Sequence, residues 1–386
     1  MRPRRHAVAA LSIFDGTRLW LDAAVLIDGP RIAWVGPRRQ LPSGIPLHNL
    51  PGRAWLAPGF IDIQLNGGGD VLFNADPTGA ALERMAAAHR RFGTTAFLPT
   101  LLSDTRAKML AAIEAVATST VESVIGIHLE GPFLSPQKCG VHDPRRIRDP
   151  RGEDFALVTS LRKGTTLLTL APERVPSGFI ADLVARGVRV ALGHSMATYV
   201  ETKQALAEGM TGFTHLFNAM RPIESREPGP IAAALEAAPA WFGMIVDGSH
   251  VHPSVLRLAL RGSSAPMIVT DAMPPVGGIS TNFSLDGRSI SVRGASCVRE
   301  DGVLAGSALD MASAIRNTVE LLAVPLASAL RYASTEPARF LGIDGEIGRL
   351  APGLRADMVA LEPAGVRVLG TWLSGQWAPS PSTGER

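Results

Sequence analysis

The middle of the chain alternates short apolar runs with helix-like stretches, and this alternation restricts the possible folds more than any other feature. The runs resemble buried β-strands and lie at residues 59–65, 94–100, 123–130, 166–172, 188–193, 211–217, 242–248 and 267–272. Eight strands that alternate with helices predict an α/β fold, a (β/α)8 TIM-like barrel. An open doubly wound sheet would need a glycine-rich phosphate turn, and the glycine run at 66–70 lacks that pattern.

Both ends of the chain differ from the middle in their pattern of residues. Residues 1–55 contain short strand-like runs separated by Gly and Pro turns, and residues 344–386 have the same character. Two β-rich segments on either side of a different middle predict one small β-domain built from both termini. The expected division is therefore 1–55 with 344–386 for this domain, and 56–343 for the barrel.

Composition narrows the classes of function. Of the 386 residues, 46% are hydrophobic and 19% are charged, which indicates a well-packed core. The net charge of +3 comes with no basic block interleaved with aromatics, so nucleic acid is not an expected partner. No uncharged apolar stretch is long enough to cross a membrane. Cys139 and Cys297 are far apart and outside any CxxC pattern, which favours a reducing cytoplasm over a disulfide framework.

Four polar residues close four of the apolar runs: Glu130, His194, His215 and Asp271. Parallel barrel strands deliver their carboxyl ends to one face, so these side chains are expected to share a site. A carboxylate and two imidazoles form a set of metal ligands that leaves a position open for water. Zinc is favoured, and Fe²⁺ or Co²⁺ would tolerate the same ligands. The remaining carboxylate, Asp271, is then able to act as general base and acid, so the pattern predicts a metal-dependent hydrolase.

Each of the other candidates has a structural alternative. His142 lies in a Gly- and Pro-rich loop, where a surface histidine is as good an explanation as a functional one. His250 and His252 follow the seventh run, and one of them is expected to be a spectator. Arg226 suits a phosphate because its planar fork binds two oxygens, although composition alone favours a solvated surface arginine. His128 is interpreted as a packing residue inside the barrel.

The chain closely resembles the N-acetylglucosamine-6-phosphate deacetylases of the amidohydrolase superfamily. The resemblance covers nearly the whole chain and is carried by PGFIDIQLNGGGD, HLEGPFLSPQKCGVHDP, LGHSMA, THLFNAM, REPG, DGSHVHP, VTDAMPP, LAGSALDM, ASTEPARFLGI and GRLAPGLRADMVAL. It implies a barrel with a β-sandwich built from both termini. It also implies hydrolysis of the acetamide of a 6-phosphorylated amino sugar, within amino-sugar catabolism or cell-wall recycling.

Carried over residue by residue, the resemblance implies one divalent metal per subunit, held by Glu130, His194 and His215, with Asp271 as catalytic base and acid. His142 would polarise the acetyl carbonyl together with the metal. The other implied substrate contacts are Val141, Asn218, Ala219, Arg226, His250, and Ala305, Gly306 and Ser307 of a loop (304–307) that closes over the sugar. The resemblance implies that Arg226 and His250 reach the phosphate across the interface of a homodimer.

One departure concerns the end of the first strand, where many amidohydrolases carry His-x-His and hold a second metal. This chain has Gln64 and Asn66 there, and neutral amides are poor ligands, so a second metal site is expected to be weak or empty. The sequence leaves two alternatives open. One is a deacetylase of N-acetylgalactosamine 6-phosphate, whose sugar differs at one hydroxyl, and the other is a non-catalytic scaffold that keeps the fold.

Overall fold

A computed structural model describes residues 5–380 of the chain. Its contacts divide the described residues into two compact units, the first comprising 5–62, 89–96 and 310–380 and the second comprising 63–88 and 97–309. These units are defined by contacts alone, so the domain limits expected from sequence, at residues 55 and 344, stay a prediction. Residues 1–4 and 381–386, at the ends of the expected β-domain, lie outside the described range.

The chain begins with five strands: β1 (Arg5–Phe14), β2 (Leu19–Asp28), β3 (Arg31–Pro37), β4 (Leu47–Asn49) and β5 (Trp55–Pro58). β1 and β2 form an antiparallel hairpin whose register runs from Arg5 opposite Asp28 to Phe14 opposite Leu19. The Asp15 carboxylate closes its turn by accepting the backbone N–H groups of Thr17 and Arg18, both within 2.9 Å. A short side chain that bonds its own following backbone is what fixes such turns.

The alternating middle follows. Its strands are β6 (Phe60–Leu65), β7 (Gly67–Gly68), β8 (Val71–Leu72), β9 (Thr94–Leu102), β10 (Gly126–Glu130), β11 (Thr165–Leu170), β12 (Arg189–Leu192), β13 (Gly212–Phe213), β14 (Trp241–Met244) and β15 (Ala265–Ile268). Its helices are α1 (Gly79–Arg90), α2 (Arg106–Thr118), α3 (Gly152–Val158), α4 (Phe179–Ala185), α5 (Tyr199–Ala207), α6 (Gly229–Glu236) and α7 (Pro253–Ala259).

Eight of these strands form one sheet in the order β6-β9-β10-β11-β12-β13-β14-β15. A parallel bridge between Leu65 and Ala272 joins the two ends of the sheet, and the Asn66 N–H donates to the Ala272 carbonyl at 2.9 Å. The sheet therefore closes into a barrel, and the predicted (β/α)8 fold is confirmed. The barrel also explains the apolar runs, because every residue of β6, β9 and β10 is buried.

Several barrel strands, among them β10, β14 and β15, are shorter than the sequence predicts, and β13 differs most. The run 211–217 was expected to be a strand throughout, whereas β13 contains only Gly212 and Phe213. The backbone then turns, with φ of 32° at His215 and 80° at Phe217, which no strand residue adopts. The turn lifts His215 off the sheet at its carboxyl end.

After the barrel come β16 (Asn282–Leu285), β17 (Arg288–Arg293), β18 (Ser296–Arg299) and β19 (Leu304–Ser307). They form an antiparallel four-stranded sheet in that order, here called the 282–307 sheet. The segment 304–307 was expected to be a loop, and this expectation is wrong. Its residues pair with β18, with Ser296 opposite Ser307 and Val298 opposite Leu304.

The chain ends with α8 (Met311–Leu322), α9 (Leu326–Tyr332), α10 (Thr335–Leu341), β20 (Met358–Glu362), β21 (Arg367–Leu373) and β22 (Gln376–Pro379). Short 3-10 helices occur at Arg38–Gln40, Pro136–Lys138, Pro172–Arg174 and Ala364–Val366. The last strands join the first five in one mixed sheet, ordered β22-β21-β20-β5-β1-β2-β3 with β4 beside β1. Both ends of the chain thus build one β-structure around a core that includes Trp372.

Two further observations bear on the sequence predictions. Cys139 and Cys297 are both free thiols, as their spacing indicated. Among residues 5–380, no helix combines the length and the apolar character needed to cross a lipid bilayer.

Candidate metal centre and active-site cavity

The four polar residues that follow the apolar runs meet at the carboxyl end of the barrel. Glu130 is the last residue of β10, whereas His194, His215 and Asp271 lie in the turns that follow β12, β13 and β15. These three have positive φ values of 50°, 32° and 52°. Residues other than glycine rarely adopt this backbone conformation, and it recurs at functional sites. Each turn directs its side chain inward across the barrel mouth.

Glu130, His194 and His215 form a tight cluster of buried donors. The Oε1 atom of Glu130 lies 3.1 Å from Nε2 of His194 and 2.9 Å from Nε2 of His215, and the two Nε2 atoms are 3.1 Å apart. The Nδ1 of His194 donates to the Lys138 carbonyl at 2.7 Å, so in the neutral ring Nε2 carries a lone pair. That lone pair faces a carboxylate oxygen, which is itself an acceptor.

The electrostatics of this cluster favour a positive charge at its centre. Burial alone would raise the pKa of Glu130, but the contacts with His194 and His215, which donate to it only when their Nε2 atoms carry a proton, bring it well below its usual value. Burial alone would lower the pKa of His215, but the hydrogen bond and the charge of Glu130 raise it instead. A divalent cation bound by the Glu130 carboxylate and the two Nε2 atoms would supply this positive charge. The three donors therefore fit such a metal.

Asp271 lies beside the cluster and is held by the two amides that replace the His-x-His pair. Asn66 Nδ2 donates to Asp271 Oδ1 at 2.6 Å, and Gln64 Nε2 lies 3.3 Å from the same oxygen and 3.3 Å from Glu130 Oε1. The amides therefore present N–H donors to the two carboxylates. Burial raises the pKa of Asp271 to about 6, and the negative charge of Glu130 adds to this effect.

His142 is buried in the same place, and its ring is oriented by Ser103. The backbone N–H of Ser103 donates to Nδ1 of His142 at 3.1 Å, so a neutral ring carries its proton on Nε2. Nε2 is buried and has no hydrogen-bond partner among the described residues. Burial lowers the pKa of His142 to about 3, with His194 as a further cause, so the ring stays neutral. It thus offers one unused N–H donor.

His250 is the other ring in this region, and it is held by Asp247. Its Nδ1 donates to Oδ2 of Asp247 at 2.7 Å. His252 instead accepts from the backbone of Ser254 at the start of α7 and is exposed, so it is the spectator of the pair. His128 is buried inside the barrel between the hydroxyls of Thr100 and Thr169, which confirms its interpretation as a packing residue.

A cavity of about 450 Å³ opens over these groups. Ten of the residues singled out in the sequence lie in its wall: Glu130, Val141, His142, His194, His215, Asn218, Ala219, His250, Asp271 and Gly306. Ala305 and Ser307 are fully buried behind the wall, and Ser307 Oγ donates to the Thr270 carbonyl at 2.6 Å. Arg226 is exposed and lies outside the wall.

The placement of His250 differs from the expectation drawn from the resemblance. That expectation had His250 reach a neighbouring subunit's site, but here it lines the cavity of its own chain with the donor cluster. The turn after β14 is the physical reason, because Asp247 accepts both the ring and the backbone N–H of His250. Within residues 5–380, the structure shows no comparable hydrogen bond that would hold Arg226 at the cavity of its own chain.

Sequence reasoning missed three residues that shape the site: Ser103, Lys138 and Asp247. Lys138 orients His194 through its backbone carbonyl, which any residue type could supply. Ser103 contacts His142 through both its backbone N–H and its Oγ, the latter at 2.8 Å, but it lies 39 positions away and leaves no local pattern. Asp247 did carry a signal, since it precedes a Gly-Ser-His turn at the end of an apolar run. The barrel and its converging donors together define a class, that of the (β/α)8-barrel hydrolases.

Comparison with known proteins narrows this class. Residues 55–378 match the Amidohydrolase family. An N-acetylglucosamine-6-phosphate deacetylase of Haemophilus influenzae is 35% identical over 383 residues, covering 97% of this chain and 99% of that protein. An N-acetylgalactosamine-6-phosphate deacetylase of Shewanella sp. is 42% identical over 326 residues, covering 83% and 82%. The crystal structure of N-acetylglucosamine-6-phosphate deacetylase from Pasteurella multocida superposes with a TM-score of 0.93 at 33% identity, covering 97% of this chain and 100% of that one. The chain therefore belongs to the amidohydrolase family.

Proposed function

We propose that the protein hydrolyses the acetamide of N-acetyl-D-glucosamine 6-phosphate to D-glucosamine 6-phosphate and acetate, using one divalent cation per subunit. The observation that carries the proposal is the arrangement in one cavity of a buried Glu-His-His donor set, a carboxyl with a raised pKa and an unused imidazole N–H. The substrate class comes from the relatives, two of which are deacetylases of 6-phosphorylated amino sugars.

Glu130, His194 and His215 would hold the cation, with zinc favoured by the mixed nitrogen and oxygen donors. When bound, it would supply Lewis-acid chemistry, polarising the acetyl carbonyl and making a water molecule more acidic. The chain's own part is to keep these three atoms fixed. The bond from His194 Nδ1 to the Lys138 carbonyl orients one ring, as partners of ligating histidines generally do.

Asp271 would move the protons. Its ionised carboxyl takes a proton from the attacking water and later donates it to the nitrogen of the leaving amine. Bonds from Asn66 and Gln64 fix the position of Oδ1, so Oδ2 is the oxygen directed to the reaction. A pKa of about 6 suits a group that must both accept and return a proton near neutral pH.

His142 would stabilise the oxygen of the acetyl carbonyl. Its ring is neutral and its Nε2–H has no partner among the described residues, so this N–H is available as a hydrogen-bond donor in the cavity wall. A fixed donor directed at a developing oxyanion acts in catalysis because it needs no reorganisation when charge appears. The ring packs edge-on to His194 with centroids 4.5 Å apart, which holds it next to the cation site.

The phosphate would be bound at the other end of the cavity. We assign it to Asn218, Ala219 and His250 of the same chain and to Arg226 of a second copy in a homodimer. Support comes from the position of the first three in the cavity wall, and from the exposure of Arg226 outside it. Val141 and Gly306 would contact the sugar, with Ala305 and Ser307 supporting the wall from behind.

N-acetylgalactosamine 6-phosphate is a second candidate substrate. The observation that favours it is the 42% identity to the Shewanella deacetylase of that sugar. The two sugars differ at one hydroxyl, so the same cation, base and phosphate site would serve both. We place either reaction in the cytoplasm, supported by the two free thiols.

A substrate panel tests the proposal. Acetate release would be measured with N-acetylglucosamine 6-phosphate, N-acetylgalactosamine 6-phosphate and unphosphorylated N-acetylglucosamine, using the Asp271→Asn variant as a matched blank. We expect efficient release from a phosphorylated sugar and a kcat/KM at least about thirtyfold lower without the phosphate, given about 2–5 kcal/mol for a buried charge pair. Equal rates with and without phosphate would refute the substrate class, and no release from any sugar would refute the deacetylase.

A further inference from the structure

The carboxylate of Asp247 is fully buried near the cavity without being part of its wall. It follows β14 in the turn that precedes His250. An ionised group enclosed in this way is stable only when hydrogen bonds replace its lost hydration. Asp247 accepts four such bonds, which is a full set for a carboxylate.

The two carboxylate oxygens of Asp247 accept hydrogen bonds from different groups. Oδ1 accepts the backbone N–H groups of Ser249 and His250, both at 2.9 Å, in a turn that Gly248 permits with its φ of 78°. Oδ2 accepts Nδ1–H of His250 at 2.7 Å and Oγ–H of Ser296 at 2.9 Å. Burial alone would raise the pKa of Asp247, but the bonds from His250 and Ser249 lower it to about 2, so the group stays ionised.

Ser296 belongs to β18 of the 282–307 sheet, and the neighbouring strand β19 supplies Leu304 and Gly306 to the cavity wall. One carboxylate oxygen therefore touches two parts of the site, the histidine ring on one side and the sheet on the other. If Asp247 only stabilised the turn, the two bonds to Oδ1 would be sufficient. The bonds of Oδ2 to His250 and Ser296 therefore indicate a second role.

We propose that Asp247 is a positioning residue that fixes the proton of His250 on Nδ1, directs Nε2 to the ligand, and anchors the 282–307 sheet through Ser296. The part of the proposal that concerns the substrate rests on the function proposed above. Which ring nitrogen of His250 carries the proton does not depend on that function. With Nδ1–H held by a carboxylate, the ring can take a second proton at Nε2 when it meets an anionic phosphate, and Asp247 compensates the charge.

The substitution Asp247→Asn separates this role from a merely structural one. The two backbone N–H groups need an oxygen, so the amide nitrogen must take the place of Oδ2. That nitrogen is a donor, and His250 Nδ1 must then accept, which moves the ring proton to Nε2. Nitrogen-15 NMR of labelled histidine in the substrate-free protein distinguishes the two tautomers, with His250→Gln identifying the signal.

The wild-type spectrum should show a proton on Nδ1 of His250, and Asp247→Asn should show it on Nε2. In the same variant KM for the phosphorylated sugar should rise about ten- to a hundredfold, the effect of losing one charged hydrogen bond, while kcat changes little. Ser296→Ala should keep the Nδ1 proton and raise KM less. The exposed Asp182→Asn is the matched control and should change neither quantity.

A wild-type ring protonated only on Nε2 would overturn the proposal without any variant. An Asp247→Asn enzyme with an unchanged KM would overturn it as well, because the fixed ring would then have no bearing on the substrate. If wild-type protein were inactive on every phosphorylated sugar, the proposed function would fail, and the two spectra would still decide whether Asp247 fixes the ring.

Discussion

Three of the four polar residues at the centre of the site share a backbone conformation that residues other than glycine rarely adopt. His194, His215 and Asp271 all have positive φ, and each lies two or three residues past the end of a barrel strand. Such conformations cost about 1–3 kcal/mol each and persist where the surroundings hold them in place. Here hydrogen bonds closing the barrel do so, for example from the Asp271 N–H to the Gln64 carbonyl at 3.0 Å. The geometry of the site is therefore built into the barrel's closure.

The role of Asp271 in proton transfer gives the first prediction. Asp271→Asn keeps the shape and still accepts from Asn66, but it cannot take a proton from water. We expect kcat to fall by about 10²–10⁴, or more since the group acts twice, with metal content and KM near wild type. Steady-state kinetics with metal analysis on the same sample provide the test. A near-normal kcat would assign proton transfer to another group.

The raised pKa of Asp271 gives a second prediction, on stability. Folding raises its pKa from 3.8 to about 6. The stability linked to this group is therefore complete below pH 3.8 and is lost as the pH rises through 6, by about 1.4 kcal/mol per pKa unit. In chelator-treated protein, Asp271→Asn should raise Tm at pH 8 and have little effect near pH 4. A difference in Tm that does not depend on pH would contradict the burial of an ionisable group at this position.

At the scale of elements, the segment after His142 is anchored by one buried carboxylate. Asp154 of α3 accepts two bonds from Arg106 of α2 and one from Arg148, all at 2.8 Å. Asp154 is fully buried, whereas the arginines are about a quarter to a third exposed. These bonds join two helices to the stretch of chain that leads away from His142.

We predict that Asp154→Ala lowers the free energy of unfolding by about 2–4 kcal/mol, because two arginines lose a buried partner. The pKa of Asp154 is lowered despite burial by the bonds from Arg106 and Arg151, so its contribution is present above pH 3.8 and is lost as the pH falls. Urea denaturation at pH 7 measures the effect. The exposed pair of Asp149 and Arg174 is the control, and Asp149→Ala should cost less than about 1 kcal/mol.

The sequence predicts the existence and order of the barrel strands because most of them lie in continuous apolar runs that are buried on both faces, although it overestimates the length of β13. It fails at the 282–307 sheet, whose strands have only four to six residues and whose first two strands, β16 and β17, are mostly polar and partly exposed. A hairpin signal was nonetheless present, since Asp286 and Gly287 form the turn between β16 and β17 with φ of 51° and 77°.

The cluster of Glu130, His194 and His215, which could hold a metal, could be predicted because its members close predicted strands. The partners that orient it could not, because a bond such as that from Ser296 to Asp247 joins residues 49 positions apart and leaves no local pattern. The hydrogen bonds of the Gln64 and Asn66 amides could not be predicted from the sequence for the same reason. The identity of these two residues indicated that a second metal site would be weak or empty, but only the structure shows them donating to Asp271 and Glu130.

At the scale of the whole molecule, the position of Arg226 distinguishes a shared site from a self-contained one. If Arg226 acts across a homodimer, inactive Arg226→Ala and Asp271→Asn subunits should complement each other. Mixed dimers hold one site with both residues intact, so equal mixing should restore roughly a quarter of wild-type activity. His250→Gln mixed with Asp271→Asn should restore none, because both residues belong to one chain's cavity. Confirmed subunit exchange without recovered activity would place Arg226 within its own site.

The central claim is that one divalent cation, held by Glu130, His194 and His215, serves the hydrolysis. Titration of metal-free protein with Zn²⁺, followed by acetate release from the preferred phosphorylated sugar, tests it most directly. Activity should rise linearly and level off at one equivalent per chain, and His215→Ala should neither bind the metal nor gain activity. A plateau at two equivalents, or full activity in the metal-free protein, would contradict the account.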